Sequence, residues 1–282
     1  MAKRVQLGRY GENPHQTAWS KRNESFKGPT VLNAPLHGSP LGYNNIRDAN
    51  AALEVILDFP DTPAVAVLKH MNPCGLATGS TLAEAFENAW LGDEISAYGS
   101  IIGYSGEVDE QTFKKTIGKF VEVVVAPSYT DGALKWIRGN TKKSGLRVIP
   151  TGSLQRSRYT EKHTILGGEV SQTSDNRLYL CDSVEELFEA PRELTEPNSG
   201  LKYQVGTVTE AQLDSSMAGL VEFSIIAGKH TKSNAIILAY EYEEGKYRML
   251  GMGAGQPNRM DSGEKLALPK ANENMMRQFF RE

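Results

Sequence analysis

The chain has 282 residues, 39% of them hydrophobic and 23% charged, with a net charge of −3. This is ordinary soluble globular composition, long enough to bury a sizeable core in one large domain or two lobes. So small a net charge argues against a large basic nucleic-acid face, and no run of about 18 apolar residues offers a membrane span. No signal-peptide stretch follows the opening MAKRVQLGRY, and two cysteines build no disulfide framework, so a cytoplasmic protein is expected.

The first fifty residues are rich in Gly, Asn, Pro and His. Within them, LGYNNIRDANAAL reads as a polar turn feeding a helix, with Asp48 or Asn50 near its start. AVAVLK (64–69) is a short continuous apolar strand, buried on both faces. TLAEAFENAWL follows, with Thr81 and Glu84 spaced as a capping box and Leu82, Ala85, Phe86, Ala89 and Trp90 on one helical face. GSIIGYS is the next strand, DEQTFKKTIGKF a helix and VEVVVAP another buried strand. The alternation predicts an α/β fold with helices packed on a sheet.

From about 140 to 200 the chain turns polar and is broken by Gly, Ser and Pro, a connecting region with strand-like pieces such as LRVIP. Thr209 and Gln212 offer a second capping box, opening a long helix with Leu213, Met217, Leu220, Val221 and Ile225 on one side. SNAIILAYE and YRMLGMGAG, joined at EEGK, read as two strands. The closing LALPKANENMMRQFFRE reads as a helix that leaves Met275, Met276, Phe279 and Phe280 exposed unless something packs on it.

Lys69 and His70 end the AVAVLK strand, and open α/β sheets bind ligands beyond the carboxyl ends of their strands. An imidazole there can serve as a general base, and the adjacent ammonium can stabilise developing negative charge. The plainer alternative is a solvated strand end whose histidine is satisfied by backbone. The following Asn72-Pro73-Cys74-Gly75 reads as the sharp turn that faces the pair toward a ligand. Cys74 has no Cys-x-x-Cys partner, which argues against zinc and for a small packing residue. RYGENPHQ sets Arg9, Tyr10 and His15 in a stiffened loop suited to a phosphate or carboxylate, or simply to the surface. GMGAGQPNR is neither a dinucleotide fingerprint nor a P-loop; its alternate glycines fit close backbone approach to a ligand or a tight bend. Lys232 and Asn234 of KSNA stand at a strand entrance, where Asn can bond an amide in both directions.

In order, RYGENPHQ, LGYNNIRDANAAL, KHMNPCG, GDEISAYGSIIGYSGEVD, VEVVVAPSY, KSNAI and GMGAGQPNR resemble the AICAR transformylase family, the formyltransferase portion of a bifunctional purine-biosynthesis protein. The resemblance runs from about residue 6 to about 262, with a poorer middle. It implies a cytidine deaminase-like α/β fold without the deaminase zinc, duplicated into a first lobe over 1–200 (including the polar region) and a second beginning at 201. It further implies a homodimer with interfacial active sites, small-molecule substrates, and neither nucleic acid nor membrane as partner. The substrates would be AICAR and, as formyl donor, 10-formyltetrahydrofolate. A formyl phosphate donor is the alternative, and there is room for a structural monovalent cation.

By motif matching, His70 would be the general base for the 5-amino group, Lys69 would stabilise the transition state and Asn234 would orient the nucleophile. Arg9, Tyr10, Gly99, Glu122 and Arg259 would hold AICAR, Arg9 its phosphate and Glu122 a ribose hydroxyl. The folate's apolar body would rest on Met260. Direct transfer needs no covalent intermediate, which agrees with Cys74 as a bystander. The family's cyclohydrolase portion and its carboxyl-terminal FFPF-like and PGGS-like blocks are missing from these residues. The expectation is therefore a truncated second lobe and no ring closure to IMP. A non-catalytic nucleotide-binding protein on the same scaffold is the competing expectation.

Overall fold

A computed structural model describes residues 4–280, except for the side chain of Arg9. The chain opens on an antiparallel hairpin, β1 (Arg4–Tyr10) and β2 (Thr17–Lys21), followed by helix α1 (Tyr43–Ile56). Helix α1 starts at Tyr43, directly after the extended Gly42, so Asp48 lies mid-helix rather than near the start. Packing decides this boundary, because Ala49, Ala52, Leu53, Val55 and Ile56 are buried against the sheet and no side chain caps the helix.

Strands β3 (Ala64–Lys69) and β4 (Asn72–Thr78) form a hairpin; helix α2 (Leu82–Trp90) and strand β5 (Ser100–Tyr104) follow. Asn72-Pro73-Cys74-Gly75 is thus not a turn but the start of β4. The reversal happens one step earlier, at His70 and Met71. In the expected capping box of α2, Thr81 Oγ1 accepts the Glu84 N–H at 3.2 Å, while the Glu84 carboxylate takes the N–H of Ser80 at 2.8 Å. Four of the five predicted face residues are buried, and Leu82 packs at their margin.

Helix α3 (Glu110–Lys114), capped by Asp109, is shorter than the pattern predicts. The buried Lys143 donates to the carbonyls of Thr116 and Lys119 at 2.6 and 2.7 Å, satisfying the backbone of a segment that has left the helix. Strand β6 (Val121–Ala126), helix α4 (Asp131–Gly139) and strand β7 (Arg147–Pro150) come next. Two exposed hairpins, β8 (Thr160–Ile165) with β9 (Gly168–Thr173) and β10 (Arg192–Thr195) with β11 (Lys202–Val205), fill the polar region.

The predicted second capping box forms no helix: Thr209 and Gln212 bond each other's neighbourhood in a loop. Helix α5 (Ala218–Lys229) starts later and buries Phe223, Ile226 and Ala227, while Leu213 is 55% exposed. Its sequence AGLVEFSIIAGK is apolar around most of its circumference, so periodicity alone picks no unique face. Strands β12 (Ile236–Glu243) and β13 (Lys246–Gly253) then pair as predicted around Gly245.

Strands β3–β7, β12 and β13 form one mixed seven-stranded sheet, ordered β12-β13-β4-β3-β5-β6-β7, with β5, β6 and β7 parallel. Helices α1 and α5 cover one face; α2, α3 and α4 cover the other. The fold is α/β, with the late strands joined to the early ones through the Arg248–Ala77 pairing of β13 with β4.

The chain closes in helical turns: α6 (Arg259–Asp261), a π-helical stretch (Ser262–Ala267) and α7 (Leu268–Phe279). Buried Arg248 ties α7 to α2, donating to Gln278 and to Asn88, the latter at 2.9 Å, while its guanidinium lies 4.9 Å from the Tyr240 ring. Gly251 and Gly253 serve this docking, since a Cβ at either would strike the carbonyl of Ala267 or Ser262. Two of the three alternate glycines of GMGAG therefore admit a helix backbone, while Gly255, with φ of 71°, has open space around it. The outer face of α7 stays open, with Met275, Met276, Phe279 and Phe280 all exposed.

Candidate active site

Lys69 pairs with Asn72 across the hairpin, leaving His70 and Met71 as its two turn residues, with φ of 52° and 62°. With positive φ at both central positions this is a type I′ two-residue turn, a conformation normally left to Gly, Asn or Asp. Here it is imposed on a histidine and a methionine, and strain of this kind persists where the surroundings hold it. It lifts the exposed His70 clear of both strands.

The expected location beyond the strands' carboxyl ends holds for β3 alone. Because β3 runs antiparallel to β5, the Lys69–His70 pair lies at the amino ends of β4, β5 and β6, where β13 ends and β12 begins. This edge gathers most of the predicted residues. The Lys69 ammonium donates to the carbonyls of Tyr98 and Gly99 at 2.8 and 3.0 Å. Gly99 has φ of 70°, and its N–H bonds the carbonyl of Phe120 at 2.8 Å. The exposed rings of Tyr98 and Phe120 lie 5.0 Å apart over it.

Glu122, second residue of β6, accepts from Asn45 Nδ2 at 3.1 Å, with Arg147 Nη1 at 3.9 Å. Asn234 precedes β12, donates to the Gln256 carbonyl at 2.9 Å and accepts from Ser262 Oγ at 2.8 Å. Arg259 and Met260 stand exposed on the turn capped by Asn258, two residues from that serine. Tyr10 ends β1 and is 48% exposed, on the hairpin whose Glu12 pairs with Arg47 of α1 at 3.5 Å. The Arg9 side chain lies outside the described residues.

Four residues of this edge escape sequence reasoning as site residues. Asn45 and Asp48 look like ordinary helix residues, while Tyr98 and Phe120 look like loop aromatics; Tyr98 adjoins Gly99 in the chain, but Phe120 comes beside it only through the β5–β6 register. Asp48 faces the hairpin turn. Burial raises its carboxyl above the usual value, against the backbone N–H of Met71 and the charges of His70, Arg47 and Lys69, which act to lower it.

Cys74 is buried, its Sγ donates to the Val67 carbonyl at 3.3 Å, and burial with the nearby Asp93 pushes the thiol up to about 12. A thiol so protonated is neither nucleophile nor metal ligand at neutral pH. Among the described residues, no three of His, Cys, Asp and Glu gather as a metal site.

Behind the turn, a cleft of about 610 Å³ is lined in part by Arg47, Glu54, Met71, Tyr159, Lys229 and His230. It is lined by none of Lys69, His70 and Asn234, and it adjoins their edge at Met71 and Arg47. Two of its lining residues, Lys229 and His230, converge on the partly buried Asp58, which receives Arg156 Nη2 at 2.7 Å, His230 Nε2 at 2.7 Å and Lys229 Nζ at 3.2 Å. This hub ties α1 and the polar region to the end of α5, just before the segment that carries Asn234.

The edge of this mixed α/β sheet thus brings together a lysine–histidine pair, an asparagine and a glutamate. The chain belongs to the AICARFT/IMPCHase bienzyme family, whose model matches residues 1–270. It is 38% identical over 268 residues to the bifunctional purine biosynthesis protein PurH of Lactobacillus acidophilus, covering 94% of this chain and 46% of that protein. It is 40% identical over 255 residues to the PurH of Leuconostoc citreum (90% and 44% covered) and 36% identical over 278 residues to that of Rhodopirellula baltica (97% and 48%). The chain thus spans just under half the length of these relatives. Among the described residues no helix is long and apolar enough to cross a membrane.

Proposed function

We propose that the protein is a formyltransferase of purine biosynthesis, moving the formyl group of 10-formyltetrahydrofolate to the 5-amino group of AICAR to give FAICAR. The observation that carries this reading is the Lys69–His70 pair, held out on a strained turn in a chain of this family. His70 takes the proton from the amine as its nitrogen attacks the formyl carbon. The new C–N bond forms, the bond to folate N10 breaks, and the proton passes to N10. Lys69 has three N–H donors, two committed to the carbonyls of Tyr98 and Gly99, so one is free for the oxyanion that develops at the formyl oxygen.

In the same reading Arg9 and Arg259 hold the phosphate end of AICAR with Tyr10, Glu122 accepts from a ribose hydroxyl with Asn45 orienting it, and Asn234 orients the amine. Met260 offers an apolar rest for the folate. The enzyme works as a homodimer of duplicated, deaminase-like lobes, with sites at the subunit interface.

His70→Ala tests the proposal. Formyl transfer should fall by roughly 10²–10⁴-fold, the usual worth of a general base, while AICAR binding measured by calorimetry is retained. Wild-type protein that binds AICAR yet never consumes formyl folate would instead be a nucleotide-binding protein.

A further inference from the structure

The turn presenting His70 and the segment presenting Asn234 come from distant parts of the chain, and one side chain joins them. Asn72 Nδ2 donates to the His70 carbonyl at 3.2 Å, and Asn72 Oδ1 accepts the backbone N–H of Lys232 at 3.1 Å. The two partners fix the orientation of the carboxamide, because one requires a donor and the other an acceptor. A carboxylate has no donor for His70, and an alanine has neither group.

The Lys232–Asn234 segment is held on its other side by the end of β13 and the turn after it. Lys232 C=O takes the Gly255 N–H at 3.2 Å, Asn234 Nδ2 reaches Gln256 C=O, and Ser262 Oγ reaches Asn234 C=O. His70, by contrast, sits in left-handed backbone that a histidine does not favour by itself. We infer that Asn72 is a positioning residue: its carboxamide clamps the His70 turn to the Lys232–Asn234 segment and so sets the separation between general base and amine-orienting asparagine. The inference rests on the formyltransferase reading above. It extends that reading to a residue which, in the linear sequence, is only part of an Asn-Pro-Cys-Gly string.

The clamp is tested with Asn72→Ala and Asn72→Asp, each checked for a native circular dichroism spectrum. In Asn72→Ala the Lys232 amide should lose its protection from hydrogen exchange; in Asn72→Asp, which keeps an acceptor, it should stay protected. Both should lower kcat by roughly 10²-fold, the scale of a misplaced catalytic group, with little change in the KM for AICAR. In a His70→Ala background, Asn72→Ala should lower the rate no further, since the group it positions is gone. An unchanged kcat, additive losses in the double variant, or a Lys232 amide indifferent to Asn72→Ala overturns the inference. A wild-type protein that transfers no formyl group overturns the functional reading instead, and the clamp is then decided by the amide exchange alone.

Discussion

The Lys69 ammonium lies 3.1 Å from where a Cβ at Gly99 would stand. The glycine therefore does two things: it adopts a left-handed φ of 70°, and it leaves the space in which the ammonium reaches the carbonyls of residues 98 and 99. The Phe120 ring, 3.2 Å from the same point, closes the other side.

Gly99→Ala should therefore displace Lys69 or the aromatic pair as well as strain the backbone. A stability loss of about 1–2 kcal/mol is expected from the left-handed conformation alone, read by urea unfolding. In the proposed reaction formyl transfer should fall with it, and by more in kcat than in KM, since the role proposed for the ammonium is at the transition state. An alanine variant with wild-type kcat would show that the position of Lys69 does not depend on Gly99.

Asp58 makes stability depend on acid. Burial by itself pushes its carboxyl up, but the His230 hydrogen bond and the charges of Arg156, His230 and Lys229 bring it below its usual value. A carboxylate depressed in the folded state stabilises the protein above its unfolded pKa, about 3.9 for aspartate, and loses that contribution as pH falls through the lower folded value. Asp58→Ala takes their shared carboxylate from the partly buried Arg156, Lys229 and His230 and should cost about 3 kcal/mol near neutral pH, the lower end for breaking a buried pair. Denaturation at several pH values should show the gap to wild type narrowing below about pH 4. A gap that stays constant into acid would mean that Asp58 acts through packing alone.

Cys74 should be chemically silent in the native protein. In a Cys181→Ser background, a disulfide reagent that reacts with thiolate should leave Cys74 unmodified at mildly alkaline pH until the chain unfolds, because its thiol is buried and held near 12. Cys74→Ala should keep formyl transfer close to wild type. Fast labelling of native protein, or a collapse of transfer in Cys74→Ala, would return the thiol to the chemistry.

Much of the sheet was legible because continuous apolar runs such as AVAVLK and VEVVVAP have no alternative to burial on both faces. The Lys69–His70 pair was legible for a related reason: two polar cationic or titratable residues closing such a run must emerge somewhere. Where the chain reversed was not. A positive-φ turn at His70 and Met71 carries no compositional signal, whereas Asn72-Pro73-Cys74-Gly75 looks like a turn and is a strand. Thr209 and Gln212 failed in the opposite way, since cap spacing starts a helix only where an apolar face waits to be buried.

By itself, then, the sequence determined the strands β3, β5, β6, β12 and β13, the capped helix α2, the exposed face of the last helix and the family-like motif order, all properties of neighbouring residues. Only the tertiary structure decided which partners those motifs meet. The antiparallel β3–β5 pairing moved the site to the amino ends of the parallel strands. Close packing turned Gly251 and Gly253 into a seat for a helix, and a single carboxamide at Asn72 bridged segments distant in sequence. Hydrogen bonds and van der Waals contacts act over a few ångströms of space, whatever the separation along the chain, and that separation is all a linear reading contains.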